Sequence, residues 1–593
     1  MPSAATFAPS SRRRLGFVPT ERLGIWLRTS STALLALSLG VGALAALFAV
    51  LFRWLIGTFT RLFTGHSDYA AAAGSANPHL PALGPWFVVL APVVAGLLYG
   101  PLVHAFAREA RGHGVPEVMY AVAHRGGRIA PQVAAVKALA SALCIGGGGS
   151  VGREGPIVQI GSALGSTVGR IGRLTEPRLR VLVACGAAAG ISATFNAPLA
   201  GVFFAMELIL ADFTAEAFGM VVLASVTSSV IGRAVLGDVP FLRLPAFSVH
   251  GAHEYLLFAA LGLLAGLVGV GFTRVLYAIE DACDALWRGP EWLRPAVGGV
   301  ALGLLLLVLP QMYGVGYPVL GAAIDGRYAV GFLLLLLVGK MVATSLTIGI
   351  GGSGGVFAPS LFIGAMLGTA FGEVVHLVAP ASSGPVGAYG LIGMGAAFAG
   401  AARAPITAVV ILFELTGEYS IILPLMTAIV LATGVSHAIS RDTIYTLKLR
   451  RRGVDLGTPP EAVAHDNRRV RDVMSPAPAP VADTARLPEV AAALGRSPAG
   501  VLPVQNAAGE VVGVVTSRAV FDALADGLHD GAAASIATEV PTTVGTADLV
   551  PEAGETLRHS GLSAVPVVDT DGTVVGWLGY QDLLSVRAAA RAG

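Results

Sequence analysis

Residues 33–52 read TALLALSLGVGALAALFAVL, an uncharged run that at about 20 residues is long enough to cross a bilayer as a helix. Apolar runs of this kind recur to about residue 440, and they predict a bundle of membrane-spanning helices over 31–447. The first run follows a polar leader, 1–30, that shows no small-residue cleavage site. It therefore reads as a membrane span and not as a signal peptide.

After Tyr445 the pattern changes. A polar linker over 448–467 leads into short Val-rich strands separated by turn signals and helical stretches, which predicts a soluble α/β region over 468–588. That region repeats itself. LPVQNAAGEVVG at 502–513 matches VPVVDTDGTVVG at 565–576, with Pro503 and Pro566, Gly509 and Gly572, and Gly513 and Gly576 each 63 positions apart. Two copies of one strand-turn-strand unit, over 468–527 and 534–588, follow from this.

The apolar region carries its own repeat. GSVGREGP at 149–156 aligns with GSGGVFAP at 352–359 at an offset of 203 (352 minus 149), and Lys137 and Lys340 keep that offset in a chain with three lysines. Asn196-Ala197-Pro198 with Glu207 nine residues after the proline is echoed by Arg403-Ala404-Pro405 with Glu414 nine residues after it. Two halves of one unit, approximately 31–235 and 250–447, account for the matches.

Composition strengthens the membrane reading: 54% of the 593 residues are hydrophobic and 13% charged, against about a quarter charged in a soluble domain. Arg12, Arg13, Arg14, Arg22 and Arg28 precede the apolar region and Lys448, Arg450, Arg451 and Arg452 follow it, so both flanks read as cytoplasmic. A net charge of +2 is too small to suggest nucleic acid as a partner. Cys144, Cys185 and Cys283 lack CxxC spacing, so neither a disulfide framework nor a metal site is expected. Arginine supplies 36 of the 39 basic residues (39 minus three lysines), which suits a GC-rich bacterial source and an inner-membrane location.

Repeats in a membrane protein tend to place a substrate site near the midplane, where interrupted helices end. GGGGSVGREGP and GIGGSGGVFAP each supply a closely approachable backbone followed by a proline suited to a first helical turn. Free N–H groups at such a helix start, with the dipole behind them, bind an anion without a full positive charge. Moderate binding is what conduction requires. Glu154, an ionisable group in an apolar region, is a functional candidate by the same logic.

At these residues the sequence resembles the CLC family of chloride channels and transporters. GREGP at 152–156 and GGVFAP at 354–359 match two of its anion-binding signatures, GHGVPE at 112–117 matches a third with one change, and Tyr445 falls where the family places its pore tyrosine. The paired C-terminal units resemble CBS domains. The resemblance implies an α-helical integral membrane protein with the CLC fold, inverted repeats of tilted and broken helices, and a C-terminal α/β CBS pair. It also implies a homodimer with one anion path per subunit. Glu154 would be the gate. The anion would be bound by Gly112, His113, Gly114, Val115 and Pro116, by Gly152, Arg153 and Gly155, and by Val356, Phe357 and the Tyr445 hydroxyl. GREGP with its proline favours chloride, with bromide and nitrate as further anions.

Two departures qualify the resemblance. His113 stands where the family often has serine, and its imidazole N–H is a candidate donor whose charge varies near neutral pH. Leu208 stands at the place of the inner glutamate of proton-coupled members, and leucine carries no proton. Glu207, one position earlier, is turned about 100° round the helix and, with its counterpart Glu414, reads as structural before it reads as part of a proton path. The resulting expectation is a passive voltage- or pH-gated chloride channel, with chloride/proton antiport as the alternative. A CBS-regulated divalent-cation transporter is the reading from another class; hard cations need several oxygen ligands, which this pore pattern does not offer. No nucleophile-base pair suggests an enzyme.

No cofactor is required by this reading. CBS pairs often bind an adenine nucleotide, and Thr516 in the first unit and Asp582 in the second are the candidate contacts, although each unit lacks the other's residue. Glu117, after GHGVP, reads as a helix-start carboxylate.

Overall fold

The computed structural model describes residues 30–72, 74–237, 251, 253–380 and 384–454, and 468–583 apart from 498–499, 510, 526–527, 529, 539–542, 561, 563, 572 and 581. The N-terminal arginines, linker residues 455–467, Gly572 and the segment after 583 lie outside the described residues. The chain divides into two compact units between Val454 and Asp455.

The first unit contains seventeen α-helices among the described residues. The first half holds α1 (Ser31–Thr64), α2 (Phe87–Phe106), α3 (Val115–His124), α4 (Gln132–Gly146), α5 (Glu154–Ile171), α6 (Glu176–Phe195), α7 (Pro198–Phe204) and α8 (Ala215–Leu236). The second holds α9 (Glu254–Leu286), α10 (Arg294–Val308), α11 (Tyr317–Ile324), α12 (Val330–Gly349), α13 (Phe357–Val378), α14 (Val386–Ala402), α15 (Pro405–Thr416) and α16 (Ile422–Ile439). A last helix, α17 (Thr446–Arg451), completes the unit. Eight helical segments are long and apolar enough to cross a membrane, so this is a multi-pass membrane protein. Large apolar side chains such as Leu47, Trp54, Val230 and Val430 are exposed on these helices, as a lipid-facing surface requires.

The sequence offsets reappear as helix ends. α4 stops at Gly146 and α12 at Gly349, and α5 starts at Glu154 and α13 at Phe357, each pair 203 apart (349 minus 146; 357 minus 154). Pro198 and Pro405 open α7 and α15, where the missing proline N–H leaves no intrahelical bond unmade. The close approach of α5 to α6 depends on Gly161: a methyl there would lie 2.1 Å from the Gly186 carbonyl oxygen. Gly364 and Gly393 repeat that contact between α13 and α14, with 2.3 Å for each added methyl.

Residues 448–454, placed in the linker on sequence grounds, belong to the first unit. Their side chains explain it: Arg451 makes a bidentate ion pair with Asp281 at 2.6 and 2.9 Å and Arg452 reaches Glu117 at 2.5 Å. Glu117, in the first turn of α3, is thus also an ion-pair partner of Arg452.

The second unit has two sheets. β1 (Ser475–Pro476), β2 (Val481–Ala482), β3 (Val501–Gln505), β4 (Val511–Thr516), β5 (Val544–Gly545), β6 (Ala564–Val568) and β7 (Val574–Gly579) are ordered β2-β3-β4 in one and β1-β7-β6-β5 in the other. Leu502 pairs with Val515 and, 63 residues on, Val565 pairs with Leu578; register shifts after Val504 and after Val567 match as well. Val501 and Val514 of one sheet and Ala564 and Trp577 of the other form one buried cluster, so each copy covers the apolar face of its twin.

Candidate functional site

The starts of α3, α5, α11 and α13 are tied together by loop hydrogen bonds. Gly152 and Gly355, equivalent residues of the two halves (355 minus 152 is 203), exchange both backbone bonds, Gly152 N–H to Gly355 O at 2.7 Å and Gly355 N–H to Gly152 O at 2.6 Å. A local twofold therefore passes between them. Gly112 N–H donates to Gly352 O at 3.1 Å, and Gly354 N–H to Gly112 O at 3.3 Å. Gly155 has to be glycine: a methyl there would lie 2.1 Å from the His113 carbonyl oxygen and 2.9 Å from Gly355 Cα.

Two fully buried lysines brace this junction. Lys137 Nζ donates to Ala110 O at 2.9 Å and Gly112 O at 2.8 Å. Lys340 Nζ donates to Gly314 O at 3.1 Å, Val315 O at 3.0 Å and Ser150 Oγ at 3.0 Å. Each ammonium meets two carbonyl oxygens of the loop entering the third helix of its own half, and Lys340 adds Ser150 Oγ of the other half, which is how a buried lysine is tolerated in an apolar setting. Ser353 Oγ, donating to Ala110 O at 2.8 Å, and Thr344 Oγ1, donating to Ser150 O at 2.7 Å, stitch one half to the other.

Glu154, 1% exposed, stands at the first turn of α5. Its Oε1 accepts from the Tyr317 hydroxyl at 2.6 Å and its Oε2 from the Ala358 N–H at 3.4 Å. The carboxylate thus lies against the first turn of α13, whose leading N–H groups, including those of Val356 and Phe357, have no intrahelical acceptor. Arg153 does not pair with it; its guanidinium lies over the Tyr317 ring, 5.1 Å from the centroid. Tyr445 is 1% exposed.

His113 is 1% exposed, and among the described residues neither ring nitrogen has a hydrogen-bond partner. Its ring meets Tyr277 edge-on at 6.3 Å. Gly112 and Gly114, on either side, adopt left-handed backbone conformations (φ 76° and 85°), and Pro116 follows Val115 in the first turn of α3.

Tyr317 was not singled out from the sequence. The signal was present: GHGVP at 112–116 recurs as GVGYP at 314–318, an offset of 202 (314 minus 112), and Gly314 and Gly316 repeat the left-handed conformations.

Glu207 stands on a π-helical turn that extends α7. Its carboxylate accepts from Ile406 N–H at 3.2 Å and from Thr407 N–H and hydroxyl at 2.9 and 2.7 Å, at the start of α15. Glu414 reciprocates, accepting from Leu199 and Ala200 N–H at 2.9 and 2.7 Å at the start of α7. Leu208 is buried.

In the second unit Thr516 Oγ1 accepts from Ala519 N–H at 3.1 Å, and Asp582 Oδ2 accepts from Gly579 N–H at 2.7 Å. The two residues do the same local work from opposite ends of equivalent turns.

Comparison with known proteins decides the family. A model described as voltage gated chloride channel matches residues 95–437, and the CBS domain model matches 470–526 and 533–589. The chain belongs to the CLC family. A ClcB-like chloride channel protein of Ralstonia nicotianae is 32% identical over 434 residues, covering 72% of this chain and 99% of that protein. The H(+)/Cl(-) exchange transporter ClcA of Vibrio cholerae is 35% identical over 360 residues, covering 59% of this chain and 76% of that protein. Among solved structures, a slow cyanobacterial Cl⁻/H⁺ antiporter shares a TM-score of 0.64 at 26% identity over 71% of this chain and 97% of its own. A eukaryotic CLC transporter, at 24% identity, shares the fold over 93% of this chain and 97% of its own with a TM-score of 0.63. This CLC protein is an anion transporter with a CBS pair and not an enzyme. The divalent-cation reading gives way to that membership.

Proposed function

We propose that the protein exchanges chloride for protons across the membrane, with Glu154 as the group that answers to both. The observation that carries this reading is the Glu154 carboxylate lying against the first turn of α13, where it accepts from Ala358 N–H. An ionised carboxylate and a chloride ion call on the same kind of donor, so each displaces the other. Protonation removes the charge that holds the side chain there and frees the amides of Val356 and Phe357 for the anion. The passive channel expected from Leu208 becomes the second reading, because the Vibrio relative and the cyanobacterial structure carry exchanger names.

Leu208 still favours that second reading, since it offers no proton carrier on the inner side. Under exchange, water reaching Glu154 supplies the proton, and Glu207, held at the start of α15, braces the fold. The Tyr445 hydroxyl, the His113 ring and the loops at Gly112, Gly114, Val115, Pro116, Gly152, Arg153 and Gly155 complete the anion path. Bromide and nitrate are further substrates in this reading. The protein works as a homodimer in the bacterial inner membrane with both termini cytoplasmic; the CBS pair serves a structural role, with adenine-nucleotide binding at Thr516 and Asp582 as the second reading.

The test is chloride flux from proteoliposomes with external pH recorded, beside Glu154→Gln. Uphill proton movement driven by a chloride gradient, lost in the variant, is the expected result. Rapid chloride flux without proton movement in the wild-type protein would replace exchange by the channel reading.

A further inference from the structure

Next to the gate is a polar cavity of about 240 Å³ lined by Arg53 of α1, Arg153, residues 192–196 at the end of α6 and Ser229 of α8. The hydroxyl protons around it are already committed. Ser192 Oγ donates to Ser225 O at 2.7 Å, Thr194 Oγ1 to Gly190 O at 2.8 Å and Ser229 Oγ to Asn196 Oδ1 at 3.2 Å. The cationic donors lining it are the two guanidinium groups. Arg153 Nε is buried without a partner, and the hydrogen bond of its Nη2 is a long one, 3.4 Å to Thr194 O. Among the described residues Arg53 makes no hydrogen bond or ion pair.

Arg53 and Arg153 both line this cavity. Two cations facing one cavity repel, and an anion between them turns that repulsion into two attractions. The cavity has room for an anion that keeps part of its water shell. It is also adjacent to the gate, because Arg153 precedes Glu154 and stacks on Tyr317, which holds the Glu154 carboxylate.

Its side of the membrane follows from α1. Arg53 comes 22 residues after Ser31 (53 minus 31), a rise of about 33 Å along the helix, comparable to the hydrocarbon thickness. With the start of α1 on the cytoplasmic side, Arg53 lies at the external side.

We infer that Arg53 and Arg153 form an external docking site that holds a small, partly hydrated inorganic anion in front of the Glu154 gate. The inference rests on the transport reading and the topology proposed above. Arg53 has a specific role in it: it raises the local chloride concentration without touching the gate.

The test records chloride currents in patches of known orientation, varying chloride on one face at a time, for wild type, Arg53→Gln and Arg53→Lys. Arg53→Gln is expected to raise the external half-saturating chloride concentration about threefold or more, in keeping with electrostatic focusing, while the cytoplasmic value stays put. Arg53→Lys, which keeps the charge, is expected to restore the external value. An unchanged external value in Arg53→Gln, or an equal rise on both faces, overturns the docking site while transport stands. Absence of chloride current in the wild-type protein overturns the transport reading and the docking site together.

Discussion

The Tyr317 hydroxyl donates to Glu154 Oε1 at 2.6 Å, joining the first turn of α11 in the second half to the first turn of α5 in the first. If Glu154 gates the path as proposed, the bond holds the ionised carboxylate on the anion's ground and so works against chloride. Removing it by Tyr317→Phe forgoes a hydrogen bond to a charged group, about 1.5 kcal/mol or more, so apparent chloride affinity should rise about tenfold. Calorimetric titration of the purified variant with chloride measures this directly; an affinity equal to wild type would mean the hydroxyl does not hold the gate.

Glu207 and Glu414 exchange caps between α7 and α15 across the two halves. Glu207→Ala strands the Ile406 and Thr407 donors at the start of α15 and is expected to destabilise the protein by about 1 to 2 kcal/mol, read as a lower thermal midpoint in detergent. Glu207→Gln keeps an acceptor and should leave the ratio of protons to chloride unchanged. Loss of proton coupling in a well-folded Glu207→Gln protein would instead put Glu207 on the proton route.

Lys340 gathers Gly314 O, Val315 O and Ser150 Oγ, and so fixes the loop that delivers Tyr317 to Glu154. Lys340→Met leaves those buried acceptors unpartnered, at about 1 to 3 kcal/mol for each. The expected outcome is a large drop in thermal stability, smaller in Lys340→Arg. A Lys340→Met protein as stable as wild type would refute the bracing role.

Much of this arrangement was legible along the chain. Uncharged runs of membrane length, the offset of 203 between the halves and the offset of 63 between the CBS copies are one-dimensional signals, and each reappears as helix ends or strand register. The glycine-rich breaks before α5 and α13 were equally visible, because backbone packed so closely that an added methyl would lie 2.1 to 2.9 Å from its neighbours excludes any side chain, as Gly155 shows.

The partners of those signals were not legible, because a sequence gives a residue's chemistry and not what faces it. Arg153 is beside Glu154 in the chain, yet successive side chains at a helix start point in different directions, and the carboxylate's partner is Tyr317, 163 residues away. Glu207 reads as structural in the sequence, but the N–H groups at the start of α15 that its carboxylate meets are visible only in the fold. The sequence by itself determined a membrane protein of two like halves with broken helices and a titratable group at one break, since hydrophobic length, glycine, proline and repetition act locally. Only the tertiary structure decided which donors meet Glu154, which oxygens absorb the buried lysines and that Arg53 shares a cavity with Arg153, since hydrogen bonds and charges between distant segments depend on where folding brings them.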